Sequence, residues 1–121
     1  MASLDIGKKE TVSWICNHFS KGSTCLDVGA CDGKWGKLLN DYLYMDGIEI
    51  FKNNIGKHKL NSIYHTCYLG DIREFRYKHY DLIIFGDVLE HMSVEDAQKV
   101  LDYAKYYAAG SAAVLSHRKS D

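Results

Sequence analysis

The residues best suited to chemistry in this chain stand at the ends of short apolar runs. The first group is Leu26-Asp27-Val28-Gly29-Ala30-Cys31-Asp32-Gly33. Glycines at 29 and 33 permit a tight turn and a close approach of backbone to ligand. A dinucleotide-binding loop, G-x-G-x-x-G, brings amides against a pyrophosphate. Counted from Gly29, this loop has Cys31 and Lys34 where that pattern needs glycine. In their place it offers a carboxylate, Asp27, just ahead of the loop. By charge complementarity an acid there suits a cationic amino-acid ligand better than a pyrophosphate.

Three further groups follow in order. Gly47-Ile48-Glu49-Ile50 closes a second apolar run with an acid. A carboxylate at such a strand end can accept hydrogen bonds from both hydroxyls of a ribose. Tyr68-Leu69-Gly70-Asp71-Ile72 repeats the arrangement, although Gly-Asp is also an ordinary turn dipeptide. The fourth is Tyr80-Asp81-Leu82-Ile83-Ile84-Phe85-Gly86-Asp87-Val88-Leu89-Glu90-His91. His91 is tempting as a base because imidazole titrates near neutrality, but proton transfer demands geometry first. Any one of these could be a turn or a solvated acid; four in sequence are harder to dismiss.

The elements that must position them alternate. An apolar stripe of Ile6, Val12, Ile15, Cys16 and Phe19 predicts a helix over 5–20. A buried strand over 24–28 leads into the first loop, and a helix over 34–42 carries Trp35, Leu38, Leu39 and Tyr42. Residues 45–50 read as a strand, 53–59 as a helix, 63–68 as a third strand and 80–85 as a fourth, apolar enough to be covered on both faces. Ser93 caps a helix to Tyr107, with Asp96 at capping-box distance and Ala97, Val100, Leu101 and Ala104 inward. Gly110 stops it, and 112–115 gives a fifth strand. Strand–helix alternation implies βαβ units, a mostly parallel sheet of about five strands and an α-β-α sandwich of three layers. Ligands bind such sheets beyond the carboxyl ends of the strands, where the four groups fall.

Composition sets limits. The chain has 121 residues, 46% hydrophobic and 26% charged, with formal charge -1. It is read as one domain over 1–121, an N-terminal helix in 1–22 and a core in 23–116. A near-neutral chain lacks the basic footprint of a nucleic-acid binder. No stretch approaches the roughly 20 apolar residues of a membrane span, and no signal-peptide core opens the chain, so a cytoplasmic protein is expected. Cys16, Cys25, Cys31 and Cys67 form no Cys-x-x-Cys pair and read as free thiols, mostly in the core. With histidines lacking ligand spacing, no metal site is expected.

Asp27-x-Gly29-x-x-x-Gly33 resembles the first motif of class I S-adenosylmethionine-dependent methyltransferases, (D/E)-x-G-x-G-x-G, departing from it at Cys31. The segment from Asp81 to His91 is similar to that family's fourth motif in its small-molecule form, with V-L-E-H after the strand. The likeness covers about residues 23–116. It implies a Rossmann-like fold, S-adenosylmethionine as cofactor and S-adenosylhomocysteine as product. Asp27, Gly29, Ala30 and Gly33 would then face the cofactor, Glu49 would grip the ribose, and Ile50 or Phe51 would flank the adenine. Asp71 would bond the adenine amino group while Ile72 packs on the ring. Gly86 and Asp87 would border the methionine end, and Asp87 and His91 the acceptor.

The sequence has no proline. It therefore lacks the (N/D)-P-P-(Y/F) loop of relatives that methylate amines of adenine or glutamine. A small-molecule acceptor, or a group on a sugar or lipid precursor, is expected instead. The family has seven strands and this chain has room for five. A fragment of a longer protein, or a homodimer covering the fifth-strand edge, follows from that shortfall. A cofactor-holding module without catalysis is the alternative. A nicotinamide-dependent oxidoreductase is opposed by the loop spacing.

Overall fold

Thr24-Cys25-Leu26-Asp27-Val28 is apolar on both sides of its pleat apart from one acid, and it lies at the centre of the molecule as strand β1 (Thr24–Val28). The computed structural model describes residues 2–75, 79–86, 88–107 and 113–116, and for 2–8, 90, 106, 107 and 113–116 the backbone alone. Strand β1 pairs in parallel with β2 (Tyr44–Glu49) on one side and β4 (Leu82–Phe85) on the other. Beyond them lie β3 (Thr66–Leu69) and β5 (Ala113–Ser116), giving the order β3-β2-β1-β4-β5 with every pair parallel. The fold is Rossmann-like α/β. The order of strands reverses between β1 and β4, so a crevice opens at their carboxyl ends.

Alternation along each strand divides the core in two. Cys25, Met45, Cys67, Leu82 and Ile84 point to one face. Against them pack Ile15 from α1 (Ala2–His18), Trp35 and Leu39 from α2 (Lys34–Leu39), and Leu60 from α4 (Leu60–Ile63), while α3 (Lys52–Lys57) adds Ile55 at the margin. Leu26, Val28, Ile48, Ile83 and Phe85 point to the other face, where Val100 and Ala104 of α5 (Val94–Tyr107) cover them. Helices thus lie on both sides of the sheet, as right-handed crossovers require. Helix α5 begins as its sequence predicts, with the Asp96 amide donating to Ser93 Oγ at 3.1 Å.

The N-terminal ends of the strands are fastened without reference to any ligand. The Thr24 amide donates to Asp81 Oδ2 at 3.0 Å while the Asp81 amide donates to Thr24 Oγ1 at 3.0 Å, a reciprocal clamp that sets β1 against β4. Tyr80 donates its hydroxyl to the buried Asp46 at 2.7 Å. Asp81 therefore opens its strand as a brace at the end remote from the crevice.

Two expectations need correction. The third strand begins at Thr66 and not at residue 63, because Lys59 adopts a left-handed conformation (φ 52°) that breaks α3 and starts the extra turn α4. Ile63 and Tyr64 are then carried under α2, and the Tyr64 amide still bonds back to Leu60 at 2.9 Å. The cysteines divide evenly: Cys25 and Cys67 are buried, whereas Cys16 lies on the solvent side of α1 and Cys31 on the first loop.

Packing at α2 leaves no room for a side chain at Gly36. A Cβ there would stand 2.6 Å from the Tyr64 ring and 2.7 Å from Ile63, whereas one at Gly56 on α3 would meet nothing within 4 Å. Helix propensity favours alanine over glycine by about 0.5–1 kcal/mol, but overpacking a rigid neighbour costs about 1–3 kcal/mol. Gly36→Ala should therefore lower the urea midpoint of unfolding and Gly56→Ala should raise it, a contrast that equilibrium denaturation of the two variants measures directly.

Candidate functional site

At the crevice, glycine does what other residues cannot. Gly29 (φ 75°) and Gly33 (φ 82°) turn the chain through the left-handed region, and Cys31 joins them at φ 54°. Gly29 also meets the loop after β4 so closely that a Cβ would come within 2.2 Å of Val88 Cγ2. The start of the loop is therefore packed against Val88.

Its amides turn inward. Those of Gly29 and Ala30 donate to the Ile48 carbonyl at 2.9 and 3.0 Å, that of Gly33 to Ala30, and that of Lys34 to Asp32. The Cys31 amide donates to Glu49 Oε1 at 2.8 Å. Loops that bind phosphate aim their amides at the ligand. This one engages the amides of Gly29, Ala30, Cys31, Gly33 and Lys34 within the chain.

The acids lie around this loop. Glu49 is 3% exposed at the end of β2. Besides Cys31 it takes hydrogen bonds on Oε2 from the Phe51 amide and from Asn54 Nδ2, each at 3.0 Å. Beside it Ile50 and Phe51 stand out into solvent, Phe51 by 66%. Asp27 is 1% exposed and points under α2, where Tyr64 donates its hydroxyl to Oδ2 at 2.5 Å and itself accepts the Gly36 amide at 3.2 Å. Asp27 Oδ1 has no hydrogen-bond partner among the described residues. Burial pushes the Asp27 carboxyl up to about 7; the Tyr64 hydrogen bond pulls it down, and the charges of Asp32 and Glu49 push it further up. Burial, then the charge of Asp27, holds the Tyr64 phenol far above its ordinary value, so it remains a donor.

Asp71, just past β3, is gripped by Arg73. The Arg73 amide and Nε reach Oδ1 at 2.9 and 3.0 Å, and Nη2 reaches Oδ2 at 2.6 Å. These hydrogen bonds hold the Asp71 carboxyl below its usual range. The same guanidinium lies 3.5 Å from Asp96 on α5, linking the rim of the sheet to that helix. Ile72 is buried in the core beneath the rim. Gly86, at the end of β4, lies against Trp35 of α2. His91 is exposed on the 3-10 turn Leu89–His91, with its amide bonded to Val88. Asp87 lies outside the described residues.

Asp27, the 29–33 loop, Glu49, Ile50 and Phe51 thus converge on one end of the sheet, with Asp71 on the same rim. Tyr64, Asn54, Arg73 and Val88 were not expected from sequence. Gly36 inside a helix and Gly47 inside a strand are the traces that could have revealed Tyr64, since such glycines mark close approach. Among the described residues no group of acids, histidines and cysteines could hold a metal ion, and no helix is long and apolar enough to cross a membrane.

No family model matches the chain, and no curated protein matches its sequence. Solved structures do. Magnesium protoporphyrin IX methyltransferase from Synechocystis PCC 6803, solved with SAM bound, is 20% identical at a TM-score of 0.72, covering 84% of this chain and 52% of that one. The CcbJ methyltransferase from Streptomyces caelestis gives 0.75 at 12% identity, with 88% and 47% covered. An S-adenosylmethionine-dependent methyltransferase from Clostridium acetobutylicum gives 0.74 at 11%, with 86% and 46% covered. The likeness is one of fold. The chain spans about half the length of these structures.

The buried acid has a consequence for stability. Its carboxyl holds a proton up to about pH 7 when folded, whereas the unfolded chain releases it near 3.8. The native state thus binds more protons between those values, and the stability this confers is lost as pH rises through the window. Wild type should lose stability relative to Asp27→Asn from about pH 4 to pH 7 and run parallel to it above, at a slope of at most about 1.4 kcal/mol per pH unit. Denaturant midpoints of both proteins across that range test it.

Proposed function

We propose that this chain binds S-adenosylmethionine across the carboxyl ends of β1, β2 and β3 and forms the cofactor half of a methyltransferase, with S-adenosylhomocysteine as product. The observation that carries the reading is the pair of buried acids, Asp27 and Glu49, around a loop whose amides bond within the chain. That arrangement makes a negative, phosphate-averse floor, and it suits a ligand carrying a sulfonium and an ammonium. Asp27 Oδ1, which like Asp46 Oδ1 has no partner among the described residues, is the one of the two that lies beneath the glycine loop.

The residues present fit such a ligand. Glu49 has about four acceptor sites, of which Cys31, Phe51 and Asn54 take three, leaving one for a ribose hydroxyl. Phe51 and Ile50 offer exposed apolar surface beside it for a planar base. In this reading Asp71 and Ile72 complete the adenine corner, and Gly29, Ala30 and Gly33 let the backbone approach. Gly86 and Asp87 border the methionine end, with Asp87 and His91 next to the acceptor. When bound, the cofactor supplies an activated methyl group, so the chain's contribution is chiefly alignment of the acceptor. A small-molecule acceptor is supported by the V-L-E-H turn and the missing proline loop.

Two coarser matters belong to the same reading. Among the described residues β5 pairs with β4 alone, so a second copy covering its other edge is proposed. Four free thiols support a reducing, cytoplasmic location. A cofactor-holding module without independent catalysis is the second reading, favoured by the chain's spanning about half the length of the methyltransferase structures it matches.

Calorimetric titration with S-adenosylmethionine and S-adenosylhomocysteine tests the proposal. Micromolar binding is expected, weakened about tenfold or more by Glu49→Gln, as suits the loss of a charge-assisted hydrogen bond. A folded chain that takes up neither compound refutes it. Sedimentation of a stable monomer would remove the dimer from the reading.

A further inference from the structure

We propose that Tyr64 is a positioning residue of this site: its hydroxyl fixes Asp27 as an oriented carboxylate under the 29–33 loop, where the acid's charge acts on a cationic ligand bound above. The inference rests on the cofactor reading and adds to it a residue that touches no ligand.

The geometry leads there from three directions. Tyr64 is 2% exposed, and its ring sits in a slot that two glycines create. A Cβ at Gly36 would stand 2.6 Å from the ring, and one at Gly47 would stand 3.2 Å from it. The same Gly47 position lies 3.3 Å from Ala30 of the loop, so ring and loop meet at one point on β2. The hydroxyl then donates to Asp27 at 2.5 Å and accepts the Gly36 amide at 3.2 Å, which sets its direction. Only Oδ2 of Asp27 is so held; Oδ1 is buried and has no partner among the described residues. Asp46, bonded by Tyr80, is likewise satisfied on one oxygen, so what singles out Asp27 is its place beneath the loop at the carboxyl ends of the strands, where a ligand can compensate its charge.

Two thiols and two acids face Asp27 from the surrounding elements. Cys25 on β1 and Cys67 on β3 are pushed up by burial first and by the acids second, Cys67 to about 11, so both stay neutral thiols. Asp32 of the loop and Glu49 of β2 act on Asp27 as like charges, and the Tyr64 hydrogen bond opposes them. Removing that hydroxyl should therefore delay ionisation of Asp27 as pH rises, without removing the acid.

Calorimetric titration with S-adenosylhomocysteine between about pH 6 and pH 8.5 separates this role from a merely structural one. Wild type should gain affinity through a step near pH 7 and then level off. Tyr64→Phe should move that step upward by about one unit, so that it binds about fivefold more weakly at pH 7, about tenfold at pH 6, and recovers toward pH 8.5. Asp27→Asn should bind weakly with no step. A Tyr64→Phe profile parallel to wild type, whether lowered uniformly or unchanged, would overturn the inference alone. So would a step that survives in Asp27→Asn, a result independent of how well the tyrosine variant folds. A wild-type chain that binds at no pH overturns the cofactor reading, and this inference with it.

Discussion

A carboxyl group taken out of water is costly unless hydrogen bonds replace its hydration, and this chain buries three in its sheet: Asp27, Asp46 and Glu49. Much of the surrounding architecture answers that cost. Tyr64 reaches Asp27, Tyr80 reaches Asp46, and two amides with one side-chain amide reach Glu49. For Tyr64 to arrive, α3 must break at Lys59, the chain must make one more turn, and two neighbouring elements must present glycine. Local geometry that looks irregular by itself is thus what the acids demand.

The two ends of the sheet handle their acids differently. At the N-terminal end Asp81 and Thr24 bond reciprocally, and each finds its partner in the other. At the carboxyl end Asp27 keeps one oxygen unpartnered among the described residues, and Glu49 keeps spare acceptor capacity. Asp46, held by Tyr80 on Oδ2, likewise keeps Oδ1 unpartnered among the described residues, so what sets the carboxyl end apart is that its acids border the glycine loop, a scaffold that a ligand can complete. The crevice opens at that end, where strand order reverses.

Much of this was readable from residues alone. The strand cores announced themselves as apolar runs, and Ser93 with Asp96 announced the start of α5, because both signals are local. The left-handed turn of loop 29–33 was legible for the same reason, since its glycines stand where the backbone needs them. What escaped was long-range. Nothing local says that Tyr64 belongs to Asp27, and the run from Ile63 to Tyr68 alternates well enough to pass for strand throughout. Arg73 stands two residues from Asp71, yet its fork depends on a turn that composition does not specify. The thiols misled because Cys31 occupies a position chosen for backbone shape and not for burial.

The contact between Gly29 and Val88 ties together two loops that the chain separates widely, and it leaves no spare volume between them. Inheritance at the two positions should therefore be linked. A lineage that acquires a side chain at 29 must first shed bulk at 88, and the left-handed turn at 29 narrows even that route. Across diverging descendants of this sequence the two columns should drift as a pair, so a directed library would need to randomise them in the same codon set.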